Sequence, residues 1–251
     1  MKKSLLDLTQ DILSDMNSDE VSSIVDTVES LQVAQILKSV YEEMMARKNW
    51  PHLRTLLALN ASGTTSRPTH MAVPATIKEV VQISYDKRKS TDTTSKYQEV
   101  DYLDPDAFLR YTNSRNSSLT NIDEIVDVSG VRILIKNDTA PTYYTSFDDE
   151  NVIFDSYDNT VDSTLQHSKS QVLAYVLPTF TLSDAFVPDM PAELFPAYLA
   201  EAKSTCFARI KQMPDQKSEQ QSRRSMNWNS QRAWQVAGGW RFPDYGRSSK
   251  K

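Results

Sequence analysis

Residues 189–236 read DMPAELFPAYLAEAKSTCFARIKQMPDQKSEQQSRRSMNWNSQRAWQV. In the first half, Phe195, Leu199, Ala202, Cys206 and Ile210 recur at helical spacing, so one face of a helix seeks a core. The second half, from Asp215 to Arg224, carries no apolar stripe and reads as a helix polar on every side. Such a helix is unstable alone or spans a gap between partners. It leads into Trp228, Trp234, Trp240 and a tail bearing Lys and Arg, an arrangement suited to lying against other chains.

Two further helices lie at the other end of the chain. Leu5 to Met16 predicts a short amphipathic helix with Leu5, Leu8, Ile12 and Leu13 on one side. A longer helix from about Thr27 to Lys48 turns Val33, Ile36, Leu37, Val40 and Met44 inward. Arg47-Lys48 suit its C-terminal dipole, and Trp50-Pro51 stop it.

From Leu53 to Pro188 the period changes from helical to two. Val81, Ile83 and Tyr85 alternate with polar residues, and Val131, Ile133 and Ile135 repeat the pattern. Leu173, Tyr175 and Leu177 alternate with Val172, Ala174 and Val176, which reads as a strand buried on both faces. Thr142 to Asp158 predicts a hairpin around the acidic loop Asp148-Asp149-Glu150-Asn151. One short helix interrupts the strands, with Asp104 as cap and Pro105 at its first position. Residues 60–67, 87–95 and 112–121 read as exposed loops. No strand–helix–strand rhythm appears, so the expected sheet is antiparallel. The fold class is α+β: a discontinuous helical bundle of N- and C-terminal helices (1–52 and 191–236), a central antiparallel β-sheet or small sandwich domain (53–190) and an extended C-terminal arm (237–251).

Composition narrows the function classes. A net charge of -5 argues against a dedicated sequence-independent DNA binder, yet suits a protein past which DNA must slide. Five glycines, none between Gly130 and Gly238, leave no phosphate-cradling loop. His52, His70 and His167 are scattered and the single cysteine is Cys206, so zinc ligation, a disulfide framework and a histidine-based catalytic motif all lack residues. Cys206 reads as a small core residue. No apolar run approaches a membrane span, and Asp7 and Asp11 break up the basic N-terminus as a leader. The expectation is no enzyme, no cofactor, no metal and no membrane partner.

Three segments stand out as binding candidates. The tip Asp148, Asp149, Glu150 and Asn151 could hold a cation with Asp155, Asp158 and Asp162, but it lacks the calcium-loop glycine and better suits docking to a partner chain. Arg223, Arg224, Trp228 and Arg232 could stack on nucleic acid, or else keep their arginines wet while the tryptophan packs inward. Beyond Gly238-Gly239, read as a flexible joint, Trp240, Arg241, Phe242 and Tyr245 form an aromatic tail suited to a groove on a partner.

The chain resembles the head-to-tail adaptor family of short-tailed bacteriophages, the tail tubular protein A group. The resemblance rests on Ala46-Arg47-Lys48-Asn49-Trp50 at a helix end, on Val73-Pro74-Ala75-Thr76-Ile77-Lys78-Glu79-Val80 at the sheet entry, and on the proline-led Asp189 to Phe195 with Tyr198, Ala202-Lys203 and Phe207. It covers both ends and the start of the sheet, and is weaker over 87–121. It implies a structural virion protein acting as a ring, most often a dodecamer, that docks on the portal protein. The ring continues the channel for genomic double-stranded DNA without sequence recognition and meets the tail nozzle below. The tail residues 240–245 would then touch the portal, the tip Asp148, Asp149, Glu150 and Asn151 would meet a neighbouring subunit or the tail, and Arg223, Arg224 and Trp228 would lie at the channel or between subunits. The alternative is a monomeric nucleic-acid-binding accessory protein. An enzyme assembled from Asp and Ser residues without a motif is a third reading.

Overall fold

A computed structural model describes residues 2–89, 91–148, 150–232, 235–236 and 239–240. The chain is α+β and divides into two compact units, one formed by residues 1–53 with 177–251 and the other by 54–176.

In the first unit, α1 (Leu5–Asp15) begins at Ser4, whose hydroxyl accepts from the Asp7 amide while Asp7 bonds back, a reciprocal cap. Helix α2 (Val28–Arg47) is capped in the same manner by Thr27 and Ser30. Leu5, Leu8, Ile12 and Leu13, and Val33, Ile36, Leu37, Val40 and Met44, are all buried. Trp50 ends α2 by folding back, its indole N–H donating to the Met44 carbonyl at 2.9 Å. Helix α4 (Phe195–Arg209) lies against α1, α2 and α5 (Gln216–Arg232) and buries Phe195, Tyr198, Ala202 and Cys206. The Tyr198 hydroxyl donates to the Leu37 carbonyl at 2.8 Å. Burial pushes the Cys206 thiol up to about 12, as an inert core residue should behave.

Residues 177–190 belong to this unit, whereas the strand period had placed them in the β domain. The Leu5 amide donates to the Phe186 carbonyl at 2.7 Å, and Asp184 accepts from the Ser23 hydroxyl and the Ile24 amide, both at 2.9 Å. Phe180 packs between Tyr41 and Phe186 in tilted ring contacts, with centroids 5.2 and 4.6 Å away. These are aromatic anchors on a segment without regular structure, and spacing alone cannot reveal them.

The second unit holds β1 (Arg54–Leu57), β2 (Asn60–Ala61), β3 (His70–Ala72), β4 (Ile77–Asp86), β5 (Tyr97–Tyr102), α3 (Pro105–Asn113), β6 (Ile122–Val126), β7 (Arg132–Lys136), β8 (Tyr143–Thr145), β9 (Asn151–Phe154) and β10 (Ser170–Val176). The large sheet runs β1-β10-β4-β5-β8-β9-β3-β2, and β6 with β7 forms a separate two-stranded ladder. The sheet is mixed rather than antiparallel, because β5 and β8 run parallel, Asp101 opposite Tyr143. Helix α3 and the β6–β7 hairpin together make the crossover that a parallel pair requires, and the intervening hairpin hides that rhythm in the sequence.

Other details depart from the strand pattern. Val81 is exposed because the β10–β4 register steps from Gln82 to Val80, leaving Val81 as the extra residue of a bulge. On β10, Val172 and Ala174 are buried on one face and Tyr175 on the other, while Leu173 and Val176 are half covered. Thr112, expected in a loop, is buried in α3 and donates to the Phe108 carbonyl. Asp104 occupies the cap position, but its side chain makes no capping bond. At the C-terminus, β11 (Gln235–Val236) pairs with β12 (Gly239–Trp240), so Gly239 stands in a ladder where a joint was expected.

Candidate interaction surfaces

Helix α5 starts at Asp215, whose carboxylate accepts the Ser218 amide at 3.1 Å and the Ser218 hydroxyl at 2.5 Å. The helix is not featureless. Ser218, Ser222 and Asn229 are buried and Ser225 and Met226 half-buried, a stripe at helical spacing made of small polar residues. Ser222 donates to Glu201 Oε2 at 2.6 Å, and the Asn229 amide donates to the Glu193 carbonyl at 3.1 Å, so the stripe meets α4 and the turn before it through hydrogen bonds. A search for apolar periodicity passes over it, although the Ser-x-x-x-Ser-x-x-Ser spacing was there to read.

The face roughly a quarter turn away carries Lys217, Gln221, Arg224 and Trp228. Trp228 is 52% exposed, so it does not pack inward. Arg223 is matched by Glu219 one turn earlier. The side chains of Arg232 and Trp240, and all of Asp149, Trp234, Arg241, Phe242 and Tyr245, lie outside the described residues.

The acidic tip of the β8–β9 hairpin organises itself. Asp148 accepts from the Glu150 amide at 3.1 Å, the Asn151 amide at 2.8 Å and the Asn151 side chain at 2.9 Å. Burial works to raise the Asp148 carboxyl, but these hydrogen bonds outweigh it and hold the group below the usual range. The other carboxylates once grouped with this tip are engaged elsewhere. Asp155 is buried against Arg115 at 2.9 Å, Asp162 pairs with Lys169 at 2.5 Å, and Asp158 accepts from the Thr160 hydroxyl at 2.5 Å. Among the described residues no three of His, Cys, Asp and Glu gather where they could share a metal ion.

Beside the acidic tip stands a second one that sequence reasoning missed, the β6–β7 turn VDVSGV (126–131). Asp127 in this turn meets buried His70 of β3, with Nε2 and Oδ1 3.0 Å apart. Its other oxygen accepts the Ser129 amide at 3.0 Å and the Ser129 hydroxyl at 2.6 Å. Gly130 closes the turn with φ of 82°, a left-handed conformation that suits glycine. Arg67 Nε adds a bond to the Val126 carbonyl at 3.2 Å. His70 stands opposite Ile153 in the β3–β9 ladder, two residues from Asn151 at the acidic tip, so the two tips lie along the same pair of strands. His52 and His167 are elsewhere: His52 is half-buried near Trp50, and His167 bonds the Leu59 carbonyl at 2.7 Å.

These groups are spent on holding backbone, so the surfaces offer shape and charge to a partner. No helix among the described residues is long and apolar enough to cross a membrane. No family model and no curated protein matches the chain.

Proposed function

We propose that the chain is a structural virion protein, a head-to-tail adaptor whose ring docks on a portal protein, continues the DNA channel and connects to the tail. The observation that carries this reading is α5. The protein's last helix, α5, is fixed to α4 and the turn before it by polar contacts while it turns Lys217, Arg224 and a half-exposed Trp228 to solvent. It then leads to the aromatic residues 240–245. A helix so built gives little to its own core and much to another chain. The partners in this reading are the portal, the tail nozzle, further copies of the chain in a ring of about twelve as in the adaptors it resembles, and genomic DNA passing without sequence recognition. No catalytic step is involved.

The test is portal binding. A chain ended after Val236 is expected to keep its fold, judged by circular dichroism, and to lose portal attachment in a pull-down with portal from the same genome. Undiminished binding would remove the role given to Trp240, Arg241, Phe242 and Tyr245. The exposure of Arg224 and Trp228 also favours a second reading, a monomeric nucleic-acid-binding accessory protein. Steep salt dependence of DNA binding by the isolated chain would select it.

A further inference from the structure

Two exposed surfaces on this chain have opposite character. The first is the paired hairpin tips of the β unit. Val126, Val128 and Val131 are 47%, 58% and 54% exposed, although Asp127 and Arg67 hold their turn firmly in place. Phe147, also partly exposed, precedes Asp148 in the neighbouring tip. Val126 and Val128 flank Asp127, which packs on His70 at the start of β3. The Glu150 carbonyl accepts from the Val73 amide just past the end of that three-residue strand, so these apolar groups and the acidic Glu150 lie close together along β3. Three β-branched side chains on a pinned turn do nothing for their own core, and an organised turn that shows them to solvent is shaped for contact. The second surface is the α5 face of Lys217, Arg224 and Trp228, basic with one large aromatic ring. Among the described residues neither Glu150 nor Arg224 has an ion-pair partner.

We propose that the hairpin tips of one copy dock on the α5 face of a second copy, with Trp228 against the three valines and Arg224 opposite Glu150. Charge complementarity selects the occupant: an acidic, apolar tip asks for a basic, aromatic surface, and the chain itself carries one. Trp and Arg are also the residue types that dominate binding energy at interfaces. Because the two surfaces differ, the contact is head-to-tail, and every bound copy still offers one surface of each kind. The proposal rests on the adaptor reading for the closure of such contacts into a ring.

Reciprocal charge reversal tests it. Full-length wild type, Glu150→Arg, Arg224→Glu and the double variant are compared by sedimentation equilibrium at up to about 1 mM, where even a millimolar contact is half formed. The wild type is expected to self-associate, each single variant to weaken association about tenfold or more, and the double variant to recover most of it. Recovery also shows that the single variants fold. A wild type that stays monomeric at about 1 mM, single variants that associate like wild type, or a double variant as weak as the singles would each overturn the contact. Portal binding by the same proteins separates the two ideas. Single variants that form intact portal-bound rings end this contact and leave the adaptor reading standing. A wild type that self-associates through these residues but ignores portal does the reverse.

Discussion

Asp155 shows how a charge survives in the interior of the β unit. Its Oδ1 accepts the amides of Thr142 and Tyr143, each at 2.9 Å, and Oδ2 accepts Arg115. Arg115 also donates to the carbonyls of Asp155 and Leu134, at 2.6 and 3.1 Å, and lies 4.8 Å from the Tyr111 ring centroid. Removing one member leaves the other charge buried and unmatched, so Arg115→Ala is expected to cost about 3–5 kcal/mol in urea unfolding. A loss under about 1 kcal/mol would mean that water replaces the guanidinium at no great cost. Asp127 supplies a pH prediction. Burial acts to raise its carboxyl, but bonds from Ser129 and His70 win and bring it down to about 2. The folded value lies below the ordinary one, so this contribution is complete above about pH 4 and disappears as pH falls through about 2. Stability of Asp127→Asn should therefore change less between pH 4 and 2 than that of the parent; equal slopes would count against the pair. Neither hub was legible in the sequence. Arg115 and Asp155 are 40 residues apart, and His70 and Asp127 are 57 apart. Each pair meets only through tertiary folding, and no motif spacing announces it.

Among the elements, α5 behaves differently from its neighbours. Its inner stripe buries hydroxyls and an amide, so its hold on α4 comes from hydrogen bonds with modest net strength, each about 0.5–1.5 kcal/mol. Amides of α5 should exchange with deuterium sooner than those of α4, where Tyr198, Ala202 and Cys206 are wholly buried. Ser222→Ala, which strips Glu201 of its partner, should speed α5 exchange about fivefold and leave α1 protected. Equal protection of the two helices would refute a weakly held α5. The sequence named this helix and its exposed face but took its inside to be absent, because a stripe of serine and asparagine has the hydropathy of a surface. The same limit applies to β4. Period two assumes an unbroken pleat, so Val81 was assigned inward, and the bulge turned it out.

On the scale of the whole chain, the change from helical to twofold period marked α+β correctly, since it follows from which side chains must leave water. The boundary near 177 was less readable, because Phe180, Phe186 and Met190 anchor an irregular segment whose burial has no period. The β unit, Arg54–Val176, is continuous in sequence and has its own core. Expressed alone it is expected to unfold cooperatively with a strand-rich circular dichroism spectrum, whereas residues 1–53 alone should remain largely unstructured. A molten 54–176 fragment would show that its core is incomplete. The helical unit, by contrast, is assembled from both ends of the chain, and this sets a timetable at the ribosome. Helices α1 and α2 emerge first, yet their cover, α4, follows only after the whole β unit has been made, a wait on the order of 10–30 s at ordinary rates of synthesis. Throughout that interval Leu5, Leu8, Val33 and Leu37 have no partner from α4. Nascent chains should therefore engage chaperones until α4 appears, and a message cut short before α4 should yield a product marked for degradation rather than a copy able to compete for assembly.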